Sequence, residues 1–193
     1  MKKAFFLDRD GVINEEGDPV TGVLFEPEKV RLTPGAAEAV KKIHEAGFLA
    51  IVVSNQGGVA MNWYTMEEVY AVEKRLCELL REEGGHAPDA FYYCPHHRKG
   101  VVAEYSIYCE NRKPAAGMLL KAAKQWDIDL SSSFMIGDRF TDMQAGENAK
   151  CAKCCFVLTG HGRTDEEKVL QEGRFPVKNN LLEAVTFLLE EFG

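Results

Sequence analysis

The chain has 193 residues, enough for one domain with a real core, and its hydrophobic and charged fractions, 46% and 27%, are ordinary for a globular protein. A formal net charge of -7 argues against a broad nucleic-acid surface but leaves room for a small anion held by a few Lys and Arg side chains. No apolar stretch is long enough to cross a bilayer, the apolar run after Lys3 stops at Asp8 and is too short for a signal peptide, and six cysteines are too few for a disulfide-dense scaffold, so a cytoplasmic setting is expected.

The first predicted strand is Ala4–Leu7. A helix opens at Thr33-Pro34, with proline at its first position, and closes at Gly47. A second strand, Phe48–Val53, follows. Thr65-Met66-Glu67-Glu68 is a capping box that opens a helix running to about Arg81. Ala90–Tyr93 is a third strand, and Cys94–Asn111 is a long irregular stretch that calls for a function or a staple. Pro114 starts a third helix carrying Met118, Leu119, Ala122 and Ala123. Strands at Phe134–Ile136 and Cys154–Leu158 and helices near Thr141–Ala149 and Leu181–Phe192 complete the pattern. The strands are short unbroken apolar runs, as in sheets buried on both faces. Their alternation with helices predicts an α/β fold: a three-layer, Rossmann-like parallel sheet with helices on both faces and one domain over residues 1–193. Ligands of such sheets bind beyond the carboxyl ends of the strands.

Four motifs fall at those ends. Asp8-Arg9-Asp10-Gly11-Val12 follows the first strand, and Gly11 lets the chain coil so that two carboxylates address one site. A solvated turn uses the same residue types. Ser54-Asn55-Gln56-Gly57-Gly58 follows the second strand and offers a hydroxyl and glycine-rich backbone to phosphate oxygens, or is simply a loop. Asn111-Arg112-Lys113-Pro114 places two cations at a helix start, which already favours anions. Gly137-Asp138 ends the fourth strand, with Asp142 four residues on. The conjunction carries the reading: Asp, Ser, Lys and Asp converging on one sheet edge suit a hard divalent cation and a phosphoryl group.

This order resembles the haloacid dehalogenase-like phosphatase superfamily, over about residues 3–160. Tyr92-Tyr93-Cys94-Pro95-His96-His97, then Cys109, then Arg112-Lys113-Pro114, is more specifically similar to the D-glycero-D-manno-heptose 1,7-bisphosphate phosphatase and histidinol-phosphatase family. The resemblance implies a compact enzyme with no large cap domain, a small phosphorylated substrate, no nucleic-acid or membrane partner, and a monomer. It implies Asp8 as nucleophile, Asp10 as general acid and base, and Ser54 and Lys113 as stabilisers of the phosphoryl group. Asn55, Gln56 and Arg112 would face the substrate. Mg²⁺ would be held by Asp8, the backbone carbonyl of Asp10, and Asp138, with Asp142 supporting the metal site or Lys113. Residues Glu15–Thr21 would form a small flap.

The family's structural Zn²⁺ pattern is Cys-x-His, a loop, then Cys-x-Cys. Cys94, His96 and Cys109 match three positions, Asn111 stands at the fourth, and His97 or water is left to complete the shell. Cys151, Cys154 and Cys155 read as apolar strand residues and Cys77 as buried in a helix; His161, just past a strand end, is within reach of the site but reads first as a surface residue. Histidinol-phosphate phosphatase and a non-catalytic binding protein on the same fold are the competing readings.

Overall fold

The computed structural model describes residues 1–17 and 24–193, so the flap read at Glu15–Thr21 lies outside the described residues from position 18 onward. Six strands, β1 (Ala4–Leu7), β2 (Leu49–Asn55), β3 (Ala90–Cys94), β4 (Phe134–Gly137), β5 (Lys153–Val157) and β6 (Val177–Lys178), form one sheet in the order β3-β2-β1-β4-β5-β6. Every pairing is parallel. Leu7 lies opposite Val52 on one side and Ile136 on the other. Asp8, Ser54 and Asp138, each one or two residues further on, therefore emerge at one edge, beside the point where the strand order reverses.

The helices are α1 (Ala36–Glu45), α2 (Met66–Gly84), α3 (Gly117–Trp126), α4 (Phe140–Asn148), α5 (Gly162–Glu172) and α6 (Leu181–Phe192). Side chains of β1 alternate between two cores, as a strand's two-residue period requires. Phe5 and Leu7 pack with Val40, Val72, Leu76 and Val185 of α1, α2 and α6. Ala4 and Phe6 pack with Met118, Leu119, Met143 and Val169 of α3, α4 and α5. This is the expected three-layer α/β arrangement. No helix of the described residues is long and apolar enough to cross a membrane.

The α2 capping box is present in full, with Thr65 accepting from the Glu68 backbone and Glu68 returning to Thr65. Two helix starts differ from expectation. The first helix begins at Ala36, because Gly35 sits at φ 80 and Pro34 belongs to the turn before it. The third begins at Gly117, three residues past Pro114. The Lys113 carbonyl accepts from Asn55 and the Gly117 N–H goes to Glu110, so a helical ladder has no footing there.

The layer assignment makes a packing test. Leu119 is fully buried while its neighbour Leu120 is 50% exposed. Leu119→Ala is expected to lower unfolding free energy by about 2–5 kcal/mol. Leu120→Ala should change it by no more than about 0.5 kcal/mol. Urea midpoints of the two variants measure the difference.

Candidate active site

Asp8 follows β1 directly, and its N–H is held by the Ile136 carbonyl at 3.0 Å. Its carboxylate meets the Lys113 ammonium at 2.8 Å. Lys113 also meets Asp142 of α4 at 2.7 Å and donates to the Val53 carbonyl at 2.8 Å. An ammonium has three hydrogens, so Lys113 is fully engaged. Oxygens of Asp8, Asp138 and Asp142 all lie within 4.8 Å of one another. Burial pushes the Asp8 carboxyl up to about 6, against the pull of Lys113, and the neighbouring Asp142 adds to the rise. Burial also raises Asp138 well above the usual carboxylate range, helped by Asp8 and Asp142. Burial works against the charge of Lys113, but Asp142 and Asp8 outweigh it and raise its pKa.

Three buried acids thus stand together beside one ammonium, which contacts Asp8 and Asp142. Asp142 has both oxygens engaged, one by Lys113 and the other by the Arg139 N–H at 3.0 Å. Asp138 differs. One oxygen accepts the His161 N–H at 2.7 Å, and the other is buried with no donor among the described residues. Gly11 and Gly160, at φ 80 and φ 53, bring their backbones so close that a Cβ on either would strike the Asp138 carboxylate. An unpaired buried carboxylate oxygen beside Asp8 and the coil of residues 8–11 is a fitting oxygen set for Mg²⁺.

Asp10 is held quite differently. The buried Arg9 guanidinium reaches it three times, at 2.9–3.1 Å. Asn14 Nδ2 adds a bond at 3.0 Å, and Gln56 Nε2 adds another at 3.0 Å. Gln56 also donates to Ser54 Oγ at 2.9 Å and accepts from the Tyr64 hydroxyl at 2.9 Å. The Asn55 amide clamps Lys113, accepting its N–H and donating to its carbonyl, both at 3.0 Å. Arg112 is tied by Nη1 to the His96 carbonyl at 3.0 Å and lies against Gly57. All seven of the proposed catalytic and substrate-facing residues line one cavity of about 400 Å³.

The comparisons with known proteins follow this geometry. A family model for HAD-hydrolase-like proteins matches residues 110–184. The D-glycero-D-manno-heptose-1,7-bisphosphate 7-phosphatase of Thermosynechococcus vestitus is 42% identical over 83% of this chain and 81% of its own. The chain belongs to this family of haloacid dehalogenase-like phosphatases. The D-glycero-beta-D-manno-heptose-1,7-bisphosphate 7-phosphatase of Pasteurella multocida is 38% identical over 87% of this chain and 88% of its own. The crystal structure of the D,D-heptose 1,7-bisphosphate phosphatase of B. bronchiseptica, complexed with magnesium and phosphate, superposes with a TM-score of 0.82. It is 29% identical and covers 98% of this chain and 99% of that one.

Against the family pattern, the zinc loop is incomplete. Cys94, His96 and Cys109 come within 4.8 Å of one another, and burial raises the Cys94 thiol to about 11. The Asn111 side chain lies against Gly117 and lines a neighbouring cavity with Tyr93 and Tyr105. His97 lines the active-site cavity instead. Cys154 and Cys155 are buried apolar residues of β5, as expected, while Cys151 precedes the strand and it and Cys77 are only partly buried.

Several cavity residues escaped the sequence reading. His161 is not a surface residue: its N–H holds Asp138, its ring pairs with Glu16, and it faces the cavity. It lies just past the carboxyl end of β5, the position from which the sequence already allowed it to approach the site. Arg9, Trp63, Tyr64 and Arg139 also line the cavity and carried no recognisable spacing.

Asn55→Leu should leave both Lys113 backbone groups unpaired, at a cost of about 1–3 kcal/mol each if they stay dry. The expected result is a folded protein by circular dichroism with turnover of a generic phosphate ester reduced at least tenfold. Unchanged turnover would show that the turn holds Lys113 without the clamp.

Proposed function

We propose that this protein is a Mg²⁺-dependent D-glycero-D-manno-heptose 1,7-bisphosphate 7-phosphatase that works through an aspartyl-phosphate on Asp8. The observation that carries the reading is Asp8 itself, fixed by Lys113 at the cavity floor beside two further buried carboxylates.

Asp8, held by Lys113 and the Arg9 N–H, attacks phosphorus and forms the acyl phosphate as the bond from phosphorus to the leaving oxygen breaks. Asp10, oriented by Arg9, Asn14 and Gln56, protonates the leaving oxygen and then takes a proton from the water that cleaves the acyl phosphate. Lys113 and Ser54 offset charge on the transferring group. Asp8, Asp138 and the Asp10 carbonyl would hold Mg²⁺, which when bound neutralises charge on the phosphoryl oxygens. Arg112, at the rim and tethered to His96, is placed to read a second phosphate. Cys94, His96 and Cys109 would hold a structural Zn²⁺ that staples the loop, and six free thiols fit a reducing cytoplasm.

The heptose reading is preferred to histidinol phosphate because the relatives bear heptose names. They differ in the anomer: beta in Pasteurella multocida, alpha in Photorhabdus laumondii. A screen of both anomers against sugar monophosphates and histidinol phosphate, compared by kcat/KM, tests the substrate. A higher value for histidinol phosphate would move the function to that enzyme.

The mechanism has its own test. Asp8→Asn should keep the fold and lose at least a thousandfold in kcat; near-normal turnover in the folded variant would rule out the aspartyl-phosphate. Chelation of the unmodified protein should abolish turnover, and added Mg²⁺ should restore it. Turnover that survives chelation with no metal detected would remove Asp138 as a ligand.

A further inference from the structure

The cavity has two unlike halves. Its floor is acid and ammonium, and one wall is apolar, made by Leu24, Met61, Trp63 and Tyr64. The wall is built by the loop after β2. Backbone bonds from Met61 to Gly57, Asn62 to Val59 and Trp63 to Gly58, at 2.9–3.2 Å, coil this loop tightly. Gly58 leaves room for the Tyr64 ring, whose hydroxyl reaches Gln56 and whose face stacks on Phe25 at 6.1 Å. Tyr64 is therefore fully occupied in holding the site together.

Trp63 is not. Asn62 stands at φ 58, a left-handed conformation that asparagine tolerates, and the chain leaves it with the next side chain at the rim. The Trp63 indole is 53% exposed, and neither its ring nor its Nε1–H has a partner among the described residues. A large exposed aromatic with no partner among the described residues, lining this cavity, needs a reason. A polyhydroxylated carbon skeleton supplies one. Its C–H face is polarised positive and suits the electron-rich face of an indole, and a hydroxyl can accept from Nε1. With a phosphoryl group on the floor, such a skeleton must rise along this wall.

We infer that Trp63 is the platform on which the carbon skeleton of the sugar phosphate packs, and so sets which skeleton the open site accepts. This rests on the phosphatase reading above.

The test uses Asp8→Asn protein with Mg²⁺, which should bind without turnover. Inorganic phosphate, heptose 1,7-bisphosphate and histidinol phosphate are titrated by calorimetry and by tryptophan fluorescence. The only other tryptophan, Trp126, donates to the Tyr92 hydroxyl at 3.1 Å and does not line the cavity, so it serves as the internal reference. The bisphosphate should change the emission and inorganic phosphate should not. Adding Trp63→Ala, or Trp63→Leu if alanine unfolds the loop, should abolish the change and weaken bisphosphate binding by roughly three- to tenfold, the size of an aromatic contact. The affinity for inorganic phosphate should shift less. Bisphosphate binding with no change in emission and equal affinity in the Trp63 variants would overturn the proposal. A larger loss for histidinol phosphate than for the sugar would overturn the sugar assignment. Failure of every phosphate to bind the parent would sink the phosphatase reading itself, a result distinguishable from the other two.

Discussion

Around Lys113 the protein accepts a charge imbalance that most interiors avoid. Asp8, Asp138 and Asp142 are all nearly or wholly buried, and a single ammonium stands among them. Burying a carboxylate without a partner costs several kcal/mol. The raised Asp8 and Asp138 carboxyls record that cost. The ammonium cannot move to serve one acid better, because its third hydrogen is anchored on the Val53 carbonyl of β2. The excess negative charge is thus fixed in place by the sheet, at the spot where a cation has the most to neutralise.

The rest of the edge exists to keep that cluster in register. β1 delivers Asp8, β2 delivers Val53 and Ser54, and β4 delivers Asp138, because the strand order sets these three side by side. Lys113 comes from outside the sheet, on a turn, and needs Asn55 to hold both its backbone groups. Gly11 and Gly160 close the remaining space around Asp138, tying the loops after β1 and β5 to one carboxylate. A side chain at either glycine would push those loops apart.

What was legible in the sequence follows from burial. Strands β1, β2 and β4 are covered on both faces, so they appear as unbroken apolar runs, and the first polar residue after each is a site residue. α2 and α6 carry caps and a clear apolar stripe. α5 and β6 were missed: α5 buries only Gly162 and Val169 of its own length, and β6 is a two-residue edge strand. Pro114 misled the start of α3, since proline suits a turn as well as a first helical turn. Arg9 was invisible as a structural residue. Nothing in the spacing says that the residue between two acids is 1% exposed and turned inward toward the second of them, near the Tyr93 ring.

That inward arginine explains how two acids two residues apart come to do different work. Asp8 faces an ammonium shared with one other carboxylate, Asp142, and accepts in addition the Arg9 N–H at 2.8 Å. Asp10 faces a guanidinium of its own, plus two amides, and keeps about a quarter of its side chain open to the cavity. The first environment places a carboxylate oxygen rigidly where a phosphorus atom would arrive. The second orients a carboxyl without shutting it away from water, which a group exchanging protons with solvent and leaving group requires. The Gln56 amide then joins the two halves, reaching Asp10 with one hydrogen and Ser54 with the other. A displacement of the Ser54 hydroxyl is therefore felt at the proposed acid, and Asp8, the proposed nucleophile, stays anchored independently by the sheet.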